Sequence, residues 1–115
     1  MQVLVVDDVE ENCDLLSLKI KKMGHSVDCC YDGKTALNSV REREYDIMFL
    51  DISLPEMTGT EVLEHMSEEG LHDKTKVVMI TATDDSKVVI QCMRKGAKGY
   101  ITKPFSINEV QRALT

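Results

Sequence analysis

The stretch that decides the fold is VLVVDD, residues 3–8. Its first four residues are apolar without polar alternation, which is typical of a strand covered on both faces of a sheet. Two adjacent carboxylates, Asp7 and Asp8, end it. Because like charges repel, such a pair indicates either a solvated helix start or a site for a cation. The rest of the chain has to decide between these two interpretations.

Further apolar runs at residues 47–50 and 77–80 predict two more central strands, and weaker runs at 26–30 and 99–101 predict edge strands. Helical spacing separates these runs. The expected apolar helix positions are, in order, Val9, Cys13, Leu16, Ile20 and Met23; Ala36, Leu37 and Val40; Val62, Leu63 and Met66; Val88, Val89, Cys92 and Met93; and Ile107, Val110 and Leu114. Strand and helix thus alternate five times, which predicts an α/β fold with a parallel sheet and helices on both faces.

Length and composition limit the class of protein. The chain has 115 residues, 43% of them hydrophobic and 30% charged, and a formal net charge of −6. We expect one globular domain over residues 1–115, with no domain before it, that is either a stand-alone protein or a piece of a longer chain, since the last helix looks short. An acidic domain repels nucleic acid, and no apolar run is long enough to cross a membrane.

The cysteines indicate a compartment. Cys13, Cys29, Cys30 and Cys92 form no C-x-x-C pair, so we expect reduced thiols that act as small apolar residues in a cytoplasmic protein.

Polar residues follow four of the five predicted strands. Asp7 and Asp8 follow the first strand, Asp51 the third, Thr81 the fourth and Lys103 the fifth. Ligands of open α/β sheets bind beyond the carboxyl ends of the strands. We therefore expect these side chains to meet at one edge of the sheet.

The electrostatic cost of this cluster favours a bound cation. Two carboxylates about 5 Å apart repel by roughly 3 kcal/mol at an effective dielectric constant near 20, and a marginally stable domain does not keep such repulsion for packing alone. A divalent ion and Lys103 together would cancel the charge of Asp7, Asp8 and Asp51. Carboxylate oxygens suit Mg²⁺, with Mn²⁺ as a substitute.

The acid on the central strand is the natural nucleophile of such a site. A carboxylate such as Asp51 can accept a phosphoryl group and become an aspartyl phosphate. The metal ion, Lys103 and the Thr81 hydroxyl would then neutralise charge on the transferred oxygens. Ala82 is small enough to leave room for the group.

These residues, in this order, resemble the receiver domain of response regulators in two-component signalling, over essentially the whole chain. The resemblance implies a flavodoxin-like (βα)5 fold with strand order 2-1-3-4-5. It implies that Asp7, Asp8 and Asp51 bind Mg²⁺ together with the backbone carbonyl of Ser53, and that Asp51 is the phosphoacceptor. Two departures are Leu54 and Thr58, where the family usually has Met and Asp, and neither position has a catalytic role.

The resemblance also implies roles for the other site residues. Thr81 and Lys103 would hold the phosphoryl group, a cis Lys103–Pro104 bond would aim the lysine inward, and Thr81 and Tyr100 would form the switch. Ser53 and Thr83 flank the site and are expected to tune the lifetime of the phosphoryl group.

The implied partners are a sensor histidine kinase or a histidine phosphotransfer protein as donor. An output partner or domain would bind the face made by the fourth helix, fifth strand and last helix, and phosphorylation could produce a dimer. Such a domain is a signalling switch that catalyses its own phosphorylation and dephosphorylation, not a turnover enzyme. We expect it to bind neither nucleic acid nor membranes.

Two other functions are weighed against this one. A magnesium-dependent phosphatase of the haloacid dehalogenase type needs a D-x-D motif after the first strand, whereas Asp51 is followed by Ile52 and Ser53. A flavin-binding module needs a Ser-, Thr- or Gly-rich loop after the first strand, and the acidic residues there would repel a phosphate.

Overall fold

The computed structural model describes residues 1–82 and 84–115, and strands and helices alternate along them as the sequence predicts. The strands are β1 (Gln2–Val6), β2 (Ser26–Cys30), β3 (Ile47–Leu50), β4 (Lys76–Thr81) and β5 (Gly99–Thr102). The helices are α1 (Glu10–Lys22), α2 (Gly33–Glu42), α3 (Gly59–Glu68), α4 (Ser86–Arg94) and α5 (Ile107–Ala113). A 3-10 turn, Leu71–Asp73, precedes β4.

The five strands form one parallel sheet in the order β2-β1-β3-β4-β5. The expected flavodoxin-like order 2-1-3-4-5 is therefore confirmed. β2 and β5 are the edge strands, and β3 lies in the middle of the sheet. The carboxyl ends of β1, β3 and β4 are thus adjacent, which brings the residues that follow them together.

Two hydrophobic cores flank the sheet, because successive side chains of each strand point to opposite faces. One core joins Leu4, Val6, Met48 and Leu50 to buried residues of α2, α3 and α4. The other joins the alternate strand residues to α1 and α5. Helices thus cover both faces, which leaves the two ends of the strands as the open regions of the sheet.

Local signals set the helix boundaries. The side chain of Asp32 caps α2 by accepting the Thr35 N–H at 2.7 Å. Thr58 and Ser106 begin α3 and α5 with capping boxes, so the Thr58 departure from the family serves a helix start. The side chain of Asp85 caps α4 by accepting the Lys87 N–H at 2.9 Å.

Three apolar residues that were expected on the buried faces of helices are exposed. Val9 is 47% exposed because it is the N-cap residue before α1 and not part of its stripe. Met93 is 43% exposed because α4 turns Cys92 to the sheet instead. Ile107 is 38% exposed at the first position of α5, while Val110 on the same helix is buried.

The four cysteines are free thiols, as expected. Cys29 and Cys30 contribute to opposite cores. Burial raises the pKa of the Cys13 thiol to about 12, so Cys13 stays neutral and acts as an apolar residue. Among residues 1–82 and 84–115, no helix has the length and apolar character that a membrane span requires.

Candidate functional site

The acidic residues meet at the carboxyl edge of the sheet. The backbone N–H of Asp7 donates to Cys30 O at 3.1 Å, and that of Asp51 donates to Val6 O at 3.0 Å. These bonds continue the strand pairing by one residue and set the two acids side by side. One carboxylate oxygen from each of Asp7, Asp8 and Asp51 lies within 4.8 Å of the other two.

Lys103 joins two of the three acids. Its Nζ donates to Asp7 Oδ2 at 2.6 Å and to Asp51 Oδ2 at 2.8 Å. The backbone N–H of Lys103 donates to Thr81 O at 2.8 Å, which fixes this residue beside β4. The Lys103–Pro104 bond is cis, as the resemblance implied.

The same contacts keep Lys103 charged. Burial by itself would lower the pKa of Lys103, but the hydrogen bonds to Asp51 and Asp7 outweigh it and raise the pKa above its ordinary value. With one positive charge against three negative ones, the cluster keeps a formal charge of about −2, counted on ordinary ionisation states. A divalent cation would bring that charge to zero.

The loop between β3 and α3 encloses Asp51. The Asp51 side chain is nearly buried, and its Oδ1 accepts the Ser53 N–H at 3.1 Å. The N–H of Gly59 donates to Ile52 O at 2.8 Å. A Cβ atom at residue 59 would lie 2.0 Å from Asp51 O, so only glycine allows the loop to lie this close.

The two residues predicted to form the switch are Thr81 at the end of β4 and Tyr100 in β5. Thr81, the last residue of β4, has no solvent exposure. Tyr100 pairs with Met79 in the sheet, is half-buried and packs against the core under α4. Burial raises its pKa, with smaller contributions from nearby charges that include Asp51.

The remaining predicted residues are placed as follows. Asp8 is exposed and leaves the cluster open to solvent, and Ala82 is exposed beside Thr81. Ser53 lies two residues beyond Asp51, and the metal-binding role of its carbonyl stays a prediction. Thr83 lies outside the described residues.

Sequence reasoning missed one residue at the site. Asn12, the third residue of α1, points its Nδ2 at Asp7 Oδ2 over 3.4 Å. The available signal was a polar amide in the first turn of a helix that begins just after the acid pair.

The donor set fits a hard divalent cation. Asp7 and Asp51 are 4% and 5% exposed, and such buried like charges need compensation beyond one lysine. Three carboxylates offer only oxygen ligands, the kind that Mg²⁺ binds.

Comparison with known proteins gives the family. The model of the response regulator receiver domain matches residues 3–115. The receiver domain of the Francisella response regulator 1452 is 29% identical, with a TM-score of 0.91 over 98% of this chain and 93% of that one. Vibrio cholerae CheY4 is 26% identical, with a TM-score of 0.90 over 98% and 94%.

A third similar structure is a complex with ligands. The response regulator TrrA of Thermotoga maritima, in complex with Mg²⁺ and BeF, is 26% identical, with a TM-score of 0.87 over 98% of this chain and 95% of that one. The chain belongs to the response regulator receiver domain family. It is a receiver domain of a two-component system, the class that implies a histidine kinase or phosphotransfer partner.

Proposed function

We propose that this domain takes a phosphoryl group from a phosphohistidine onto Asp51 in the presence of Mg²⁺, and that the change in charge switches its output surface. The observation that carries the proposal is the contact of one lysine, Lys103, with both Asp7 and Asp51. This lysine connects the expected acceptor to the expected metal ligands at the same edge of the sheet.

The transfer forms one bond and breaks another. An oxygen of Asp51 attacks phosphorus, the P–N bond of the donor breaks, and its electron pair remains on the imidazole nitrogen. Mg²⁺ (or Mn²⁺), held by Asp7, Asp8, Asp51 and the carbonyl of Ser53, would supply positive charge for the transferred oxygens. The Ser53 N–H and Lys103 orient the Asp51 carboxylate for this reaction.

Phosphorylation adds negative charge where Thr81 and Lys103 can respond to it. Asp51 changes from a carboxylate to an acyl phosphate, which carries about −2 near neutral pH. We propose that the Thr81 hydroxyl donates to this group and that Tyr100 moves with the loop after β4. Ser53 and Thr83 would tune how long the group persists.

The α4–β5–α5 face is the proposed output surface, for a partner, an attached domain or a second copy. α4 exposes Ile90 and Met93, which are three residues apart and therefore on the same side of the helix. Lys87 and Arg94 are exposed beside them. This combination fits an apolar partner surface with acidic residues around it.

A switch, rather than a turnover enzyme, is the function that these residues support. The haloacid-dehalogenase phosphatase needs a second acid two residues after its nucleophile, and Ser53 occupies that position here. We propose that the domain catalyses only its own phosphorylation and dephosphorylation, in the cytoplasm.

The test is phosphorylation by a small acyl phosphate with Mg²⁺, measured by intact mass. We expect the wild-type protein to gain one phosphate and Asp51→Asn to gain none. Asp73→Asn, which removes an exposed acid outside the site, should behave as wild type. Equal labelling of Asp51→Asn, or equal labelling after chelation of Mg²⁺, would refute the proposal.

A further inference from the structure

We propose that Asn12 is a positioning residue that holds the Asp7 carboxylate for the metal, together with Lys103 at rest and in place of Lys103 once the lysine turns to the phosphoryl group. The inference rests on the proposed function, because it assumes a metal ion and a phosphoryl group at this site. It assigns a role to a residue that has none in the proposed phosphoryl transfer.

The Asp7 carboxylate receives three hydrogen bonds, from Val9, Asn12 and Lys103. Its Oδ1 accepts the Val9 N–H at 2.9 Å. Its Oδ2 accepts Lys103 Nζ at 2.6 Å and Asn12 Nδ2 at 3.4 Å. The lysine therefore holds Oδ2 closely, while the amide stands within reach of the same atom.

The first turn of α1 keeps Asn12 in this position independently of Lys103. The backbone N–H of Asn12 donates to Val9 O at 3.0 Å. In the next residue, Cys13 Sγ donates to Asp7 O at 3.3 Å. The same helical turn thus contacts both the main chain and the side chain of Asp7.

Asn12 and Lys103 approach Asp7 from the same cleft, which Leu15, Lys19, Pro104 and Phe105 also line. When Asp51 becomes an acyl phosphate, the greater negative charge lies on the phosphoryl oxygens, so the ammonium is drawn towards them. Asp7 Oδ2 then loses its closest donor. The neutral amide of Asn12 can take over this bond without repelling the metal, which an ammonium cannot do.

The direct test is Mg²⁺ affinity measured by titration calorimetry without any phosphodonor. Asn12→Leu keeps the approximate size of the side chain and removes the donor. Partners of metal ligands typically change affinity 10–100-fold, and because Asn12 is exposed we expect a smaller loss of about threefold to tenfold. Asn12→Gln, which restores an amide donor, should recover part of the affinity.

Two controls separate positioning from general damage. Leu15→Ala changes the same cleft without touching Asp7 and should leave Mg²⁺ affinity unchanged. In a Lys103→Met background, Asn12 is the only side-chain donor to Asp7 Oδ2 among the hydrogen bonds described, so Asn12→Leu should cost more there than in the wild type. Urea unfolding shows that each variant is folded.

The outcomes are distinguishable. If the wild type binds Mg²⁺ and Asn12→Leu binds it equally well in both backgrounds, the role of Asn12 is refuted and the proposed function stands. If the wild type does not bind Mg²⁺, the proposed function fails and this inference fails with it. Asn12→Gln that binds as poorly as Asn12→Leu would also refute positioning by the amide.

Discussion

The glycine beside Asp51 gives the sharpest prediction, for the substitution Gly59→Ala. The added Cβ would lie 2.0 Å from Asp51 O and 2.8 Å from both Asp51 C and Ile52 Cα. An ordinary carbon–oxygen contact is about 3.3 Å, so the first pair of atoms must separate by about 1.3 Å. All three neighbours are backbone atoms, so no side-chain rotation can relieve the contact.

The expected loss follows from two effects. Overpacking of this kind costs about 1–3 kcal/mol, and loss of the bond from the Gly59 N–H to Ile52 O costs about 1 kcal/mol. We expect the free energy of unfolding to fall by about 3 kcal/mol. Phosphorylation should slow as well, because the displaced carbonyl belongs to Asp51 itself.

Urea unfolding and the rate of labelling by an acyl phosphate measure the two effects. Gly99→Ala is the matched control, since the nearest atoms to a Cβ there belong to the Val78 side chain and lie at an ordinary 3.5 Å. The reasoning is refuted if the free energy of unfolding of Gly59→Ala lies within about 0.5 kcal/mol of the wild-type value, the range of an ordinary surface substitution, and if the variant is labelled at the wild-type rate.

Three further substitutions test other parts of the molecule. Lys103→Met removes a charge that competes with the metal, so calorimetry should show tighter Mg²⁺ binding while labelling slows; weaker binding would contradict this account. Tyr45 donates to Asp28 Oδ2 at 2.7 Å, and burial together with this bond raises the pKa of Tyr45 to about 12 from an ordinary 10.0. The stabilisation of the folded state by neutral Tyr45 is therefore complete below pH 10 and is lost as the pH rises to about 12. Tyr45→Phe should lower the free energy of urea unfolding by about 1.5 kcal/mol at neutral pH and flatten its decline above pH 10; an unchanged alkaline slope would contradict the assignment. Glu56 has a φ of 63°, a left-handed conformation that glycine adopts more easily, so Glu56→Gly should raise the free energy of urea unfolding by up to about 1 kcal/mol. An equal gain from Glu56→Ala would exclude relief of backbone strain as the cause.

The strands were predictable because buried parallel strands leave a continuous apolar signal. Residues 47–50 were predicted with the bounds that the structure has, and β4 and β5 proved longer than their apolar runs. The helix faces were less predictable, because periodicity does not tell a buried apolar residue from one exposed for binding. Met93 shows this limit, since it fits the stripe of α4 and nevertheless faces solvent.

The site was predictable in its residue types but not in its contacts. Strand order brings the ends of β1, β3 and β4 together, so the proximity of Asp7 and Asp51 followed from topology. The contact of Asn12 with Asp7 depends on the phase of α1, and the contact of Gly59 with Asp51 depends on the path of a loop. The pattern of residue types places a polar amide near the acid pair, but it fixes neither contact.

The two residues joined by the bond between Lys103 and Asp7 are 96 positions apart in the sequence. A nascent polypeptide that has emerged from the ribosome only as far as β4 would contain all three acids but not the ammonium that pairs with Asp7 and Asp51. Its Asp51 would lack the cation that pairs with it until translation had passed β5. Under the proposed function, we expect a chain that stops before Lys103 to be labelled by a phosphate donor more slowly than one that contains it.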